Sequence, residues 1–127
     1  MGLDQYLSAK TNILAKKQLR GACGGLFPIG PADNDTTEIG YWRKAYSVSC
    51  YLRKTLEITG DFNLEEKEIN YEQIVSILDY AKHILKTKSF ENDYDKYDWE
   101  TTSEVFTKAK EILEKDPNAQ IFYMEWY

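Results

Sequence analysis

One histidine and two cysteines are all the imidazole and thiol chemistry that 127 residues carry here. A structural zinc site takes four such ligands, and His83, Cys23 and Cys50 form neither a CxxC pair nor a Cys/His cluster. A serine–histidine–aspartate triad would have to pass through His83, because no other imidazole exists to move the proton. On a helix His83 falls opposite Ile74, with Asp79 one turn earlier, and it reads as solvent-facing. Cys50 has no histidine near it in sequence to make it a thiolate nucleophile. Phosphate-loop signatures are missing as well. The run Gly21-Ala22-Cys23-Gly24-Gly25 has no Gly-Lys-Ser/Thr ending to converge on phosphates, and no GxGxxG follows a strand. Its neighbours Lys16, Lys17 and Arg20 are loose cations beside a flexible loop. No apolar run is long enough to span a bilayer. Tyr6 stands where a myristoylation signal wants serine or threonine. These absences leave no catalytic residue, no metal and no cofactor to assign.

Positive charge is also in deficit. Sixteen Lys and Arg stand against 21 Asp and Glu, for a net charge of −5. Neutralising phosphates takes clustered Lys and Arg, so no direct nucleic-acid binding and no anionic membrane surface are expected. A protein partner with a basic surface fits the balance better. Two cysteines without a signal peptide point to a reducing compartment, so the chain is expected in the cytoplasm, of the host cell if it is phage-encoded.

Aromatic residues, by contrast, are abundant: ten Tyr, three Trp and five Phe. Each buries a large area, which lets one domain of residues 1–127 close a core. Two terminal strands are legible. Leu3, Gln5, Leu7 and Ala9 alternate with Asp4, Tyr6, Ser8 and Lys10. Near the end, Ile121 and Tyr123 alternate with Phe122, Met124 and Trp126 after the breaker Asp116-Pro117-Asn118. Pairing these strands would tie down both chain ends.

Three amphipathic helices are predicted between them. The first covers Tyr41 to Ile58, with Trp42, Ala45, Tyr46, Ser49, Leu52 and Leu56 on one face and Thr59-Gly60 as its stop. Glu38 to Trp42 can instead be extended, with the helix starting later. The second covers Tyr71 to Lys88, capped by Asn70 with Gln73, and buries Ile74, Ile77, Leu78, Ala81 and Leu85. The third covers Trp99 to Lys115, from Asp98 or the box Thr101-Thr102-Ser103-Glu104, and buries Val105, Phe106, Ala109, Ile112 and Leu113. Ile13 to Arg20 reads as a short helix or strand, Phe27-Pro28-Ile29-Gly30-Pro31 as loop, and Asp33 to Thr37 as turn or cap. Glu65, Glu66 and Glu68 read as a charged connector. The expected architecture is α+β: three helices packed on a small antiparallel sheet that includes both terminal strands.

Two surfaces stand out as candidate sites. The first is the acidic, aromatic run Asp93, Tyr94, Asp95, Tyr97, Asp98, Trp99 and Glu100, read as a connecting loop. Asp93, Asp95 and Glu104 match three positions of a calcium loop. Tyr97 takes the place of a ligand, however, and Asp98 that of the glycine at the sharp turn, which excludes an EF-hand. Interleaved carboxylates and rings suit docking to a cationic partner. The second combines the cations Arg43, Lys44 and Lys54 with Tyr41, Trp42 and Arg20, where cations meet phosphates and rings stack on bases. Arg43, Ser47, Cys50 and Lys54 fall on one stripe if the first helix reaches back to Arg43.

Gly2-Leu3-Asp4-Gln5-Tyr6-Leu7 and Glu38-Ile39-Gly40-Tyr41-Trp42-Arg43-Lys44-Ala45, followed by the aromatic close Phe122-Tyr123-Met124-Glu125-Trp126, resemble a group of small phage and prophage proteins. That group opens on Gly-Leu-Asp-x-Tyr-Leu and carries Glu-Ile-Gly-Tyr-Trp-Arg-Lys. After Ala45 this chain departs from it, with Tyr46-Ser47-Val48-Ser49 where the group has asparagine and histidine. No activity attaches to the group; the resemblance implies a phage setting. The leading expectation is a non-enzymatic phage accessory protein that binds and inhibits a host component, plausibly of an anti-phage defence system, through the acidic aromatic run. The alternative is a binder that sequesters a small anionic nucleotide signal at the Arg43 surface. A small enzyme would need Cys50 or His83 in a pocket.

Overall fold

The computed structural model describes residues 2–10 and 36–127. The expectations for Ile13 to Asp35, and the candidate ligand Arg20 with them, lie outside the described residues. Strand β1 (Asp4–Lys10) sits in the middle of the sheet. It pairs antiparallel with β2 (Thr36–Arg43) on one side and β4 (Gln120–Trp126) on the other, and β3 (Glu66–Ile69) completes the order β2-β1-β4-β3. The chain ends therefore pair as their alternation predicts, with Asp4 opposite Trp126 and Lys10 opposite Gln120. Between β1 and β2 the register shifts: Leu7 faces Gly40 while Ser8 faces Glu38. Ile39 is the extra residue, a bulge of the kind that twists an edge strand.

The period of two decides which face is buried. Leu3, Gln5, Leu7 and Ala9 of β1 and its lead-in are inward, as are Ile121, Tyr123 and Glu125 of β4, and Gly40 and Trp42 of β2. Three helices cover that face: α1 (Tyr46–Thr55), α2 (Tyr71–Thr87) and α3 (Asp93–Lys115). Leu7, Trp42, Leu52, Ile74, Ile77, Phe106, Ile121 and Tyr123 form one core between helices and sheet. The fold is thus α+β, with the terminal strands at the centre of the sheet.

Several boundaries differ from the sequence reading, each for a physical reason. The first helix starts at Tyr46 and Tyr41 to Arg43 are strand, so the extended alternative for Glu38 to Trp42 holds and the helix from Tyr41 does not. Trp42 and Ala45 fit a helical face, but the alternation of Gly40 and Trp42 with Tyr41 and Arg43 fits β1 pairing, and the tertiary contact wins. Tyr46 is exposed and Val48 takes the buried place. The helix stops at Thr55, earlier than Thr59-Gly60, with Arg53 and Lys54 in its last turn, where cations suit the helix dipole. Along α2, Ile84 rather than Leu85 is buried. Its predicted cap forms in full: the Asn70 side chain accepts from the Gln73 N–H while the Gln73 side chain accepts from the Asn70 N–H.

The two larger corrections concern acidic segments. Glu66 to Ile69, read as connector, is an edge strand pairing with β4, and only Ile69 of it is buried. The run from Asp93 to Asp98, read as loop, is the first part of α3. Asn92 caps that helix by accepting from the Asp95 N–H, and the Asp95 carboxylate accepts from the Glu91 N–H. Asp93 and Asp95 occupy the first turn, where negative charge is favourable. The acids that looked like a docking loop are thus in part a helix start.

Candidate binding groove

Tyr41, Trp42, Arg43 and Lys44 form one wall of a groove of about 580 Å³, and Tyr94, Tyr97, Asp98 and Thr101 of α3 form the other. On the helix these four recur at i, i+3, i+4 and i+7, the spacing of a single face. On the strand side, Lys44 breaks the ladder. It is held at φ 58 while its N–H bonds to the Leu3 carbonyl, so the chain turns at the groove before α1 begins.

The two walls are locked together at two points. The Trp42 indole, buried beneath the groove, donates to Thr102 Oγ1 at 2.9 Å, and that hydroxyl donates to the Asp98 carbonyl. One turn along, α3 lies directly on β2 at Gly40. A Cβ added there would stand 2.6 Å from Val105 Cγ2 and closer still to Cγ1. The missing side chain is what lets the helix approach.

The groove has two electrostatic poles. Arg43 and Lys44 are exposed cations on the strand wall. Opposite them, Asp98 is half-buried, and among the described residues its carboxylate meets neither a hydrogen-bond donor nor a cation. Burial first, and the charge of Asp95 second, push its acid up to about 6. Neither groove cation offsets that rise. On the same wall as Asp98, Tyr94 and Tyr97 are 85% and 67% exposed, far beyond what a packed ring needs. Tyr41 meets the Tyr6 ring at a tilt, with centroids 5.3 Å apart, and donates its hydroxyl to Asp4, and that bond raises its phenol above the usual range.

The structure therefore merges two surfaces that the sequence presents separately. From the acidic run it brings Tyr94, Tyr97 and Asp98 to the groove; from the basic cluster it brings Tyr41, Trp42, Arg43 and Lys44. Trp99 goes elsewhere, into the core against Tyr80 and Tyr51. Asp93 and Glu100 are exposed on α3 outside the groove lining, and Asp95 serves the helix cap. Lys54 lies on the last turn of α1, also outside the lining. The stripe of Arg43, Ser47, Cys50 and Lys54 does not exist, because Arg43 belongs to β2. Cys50 and His83 are exposed, and no groove wall contains either. Thr101 was not singled out, although its place four residues beyond Tyr97 is readable once the helix is extended backward.

A second polar cluster also escaped the sequence reading. Glu125 is fully buried, and four donors converge on it: Arg53 Nε and Nη2 on one oxygen, and the Ser49 and Tyr123 hydroxyls on the other. Gln5 donates to the Tyr123 hydroxyl and accepts from the Ala45 N–H at the start of α1. Burial, and then Glu125, hold the Tyr123 phenol far above its normal range. The one available signal was phase: Glu125 shares the inward register of Ile121 and Tyr123. The cluster ties β1, β4 and α1 together. Among the described residues no group of three or more His, Cys, Asp or Glu side chains is arranged to hold a metal ion, and no helix is long and apolar enough to cross a membrane. Comparison with protein families, curated proteins and solved structures finds no match to this chain.

Proposed function

We propose that this chain is a non-enzymatic binding protein that captures a small anionic nucleotide in the groove between β2 and α3. One observation carries the reading: two cations and a set of exposed rings line a single concavity. Its volume lies in the range of small-molecule sites, about 300–1,000 Å³. Arg43 and Lys44 would meet phosphate oxygens, and Tyr94 or Tyr97 would stack on the base. In the phage setting that the resemblance implies, capture would withdraw a host signal from its receptor, a cytoplasmic anti-defence role.

The test is thermal denaturation and calorimetry of the chain with a panel of nucleoside mono-, di- and triphosphates. At least one is expected to raise the melting temperature, and Arg43→Ala is expected to remove that rise. A panel without any effect rejects the proposal.

The competing reading is direct inhibition of a host protein with a basic surface. The exposure of Tyr94 favours it, since exposed tyrosines are common anchors at interfaces. It explains Arg43 and Lys44 less well, because a basic partner would be repelled by them. Stoichiometric capture of one protein, lost on Tyr94→Ala but unaffected by Arg43→Ala, would select it.

A further inference from the structure

We infer that Asp98 reads the base, so that the groove selects a guanine nucleotide over other nucleotides. The inference rests on the nucleotide reading above and specifies its ligand. A carboxylate only accepts hydrogen bonds, and it prefers two parallel donors, one for each oxygen. Guanine presents such a pair on one edge, the ring N1–H beside the exocyclic amine. Adenine and cytosine offer one amine beside a ring acceptor, which would face a carboxylate oxygen with a lone pair.

Asp98 is placed for this role and lacks any other. It lines the groove on the same helical face as Tyr94, Tyr97 and Thr101. Its carboxylate is half-buried and unpaired among the described residues, unlike Asp95, which caps the helix start. Burying a charge without a partner is unfavourable, and a ligand that brings two N–H donors removes that penalty. The cations stand on the opposite wall, so phosphate and base edge can be held at separate ends of one ligand. Tyr94 and Tyr97, on the same wall as Asp98, are exposed and free to stack.

The test compares GTP, ITP and ATP on the full chain by calorimetry, since ITP is GTP without the exocyclic amine of its base. GTP is expected to bind about ten-fold or more tightly than ITP and ATP, as loss of a hydrogen bond to a charged group predicts. Asp98→Asn should abolish that preference while retaining base-independent binding, and Arg43→Ala should weaken all three alike. Circular dichroism on each variant checks that the fold persists. Equal affinity of the wild-type protein for the three overturns the base assignment and leaves the nucleotide reading standing. Binding of none of them, with capture of a hexa-arginine peptide instead, overturns both, because a guanidinium offers the same donor pair.

Discussion

Replacing Arg53 with leucine should be among the most damaging single changes in the sheet–helix interface. Among the described residues Arg53 is the only cation on Glu125, at 2.6 Å, and Glu125 is completely inaccessible to solvent. Without the guanidinium, that carboxylate keeps two hydroxyl donors, from Ser49 and Tyr123, and no countercharge. Removing one member of a buried pair typically costs about 3–5 kcal/mol. The Arg53 side chain is 29% exposed, so water can reach its side of the pair and the lower end applies. The loss of its contacts with the Phe62 and Tyr127 rings adds roughly 0.5 kcal/mol. The expected total is about 3.5 kcal/mol, a large share of the roughly 5–15 kcal/mol that holds a domain together. Urea denaturation at neutral pH measures it as a lower midpoint at constant slope. Arg53→Leu with Glu125→Leu should lose less than Arg53→Leu alone, because no buried charge then remains. A single-variant cost under about 1 kcal/mol, or a double variant as poor as the sum of the singles, would refute the reasoning.

Two further outcomes are expected. Gly40→Ala should destabilise by about 1–3 kcal/mol, because its methyl meets the stiff, branched Val105, and Val105→Ala should largely restore it; melting temperatures of both variants and the double decide. Asp98→Asn should stabilise the free protein near neutral pH and leave it unchanged near pH 4. The folded acid, at about 6, holds its proton more tightly than the unfolded one at 3.8, so the native state loses stability as pH rises between those values. A melting-temperature gain for Asp98→Asn that is independent of pH would contradict the assignment.

Much of the scaffold was legible because local chemistry and tertiary demand agree. The alternation of β4, the looser one of β1, and the Asn70–Gln73 box opening α2 point to their elements from local sequence. The misreadings fall where two rules compete. Tyr41 to Ala45 satisfies a helical stripe as well as a strand, and only pairing with β1 decides. Asp93 to Asp98 is rich in residues that favour turns, yet the same acids suit a helix N-terminus once Asn92 caps it. Glu66 to Glu68 alternates too briefly to signal a strand, and its acids face solvent at a sheet edge. The groove was half legible. Each wall showed its unusual composition, but their union depends on α3 settling onto Gly40, a long-range contact that no local pattern announces.

The irregularities of the described structure gather at the proposed groove. Among the described residues no buried side-chain polar atom lacks a partner, even around Glu125, where four donors meet one carboxylate. Well-satisfied interiors are the rule, and departures from it gather where function opposes stability. Here the departures coincide: an unpaired, half-buried carboxylate at Asp98, two highly exposed rings at Tyr94 and Tyr97, and a left-handed lysine at Lys44. Among the described residues three other non-glycine residues have positive φ. Lys88 caps α2, Glu57 follows the end of α1, and Leu64 lies in the turn before β3. Only Lys44 breaks a strand beside a cavity. Its strained backbone follows from the Lys44 N–H being drawn to the Leu3 carbonyl, and it is anchored at the next residue by Gln5 accepting from Ala45. Gln5 in turn belongs to the Glu125 cluster through Tyr123. The buried network thus holds the β2–α1 corner on which the cationic wall of the groove is built.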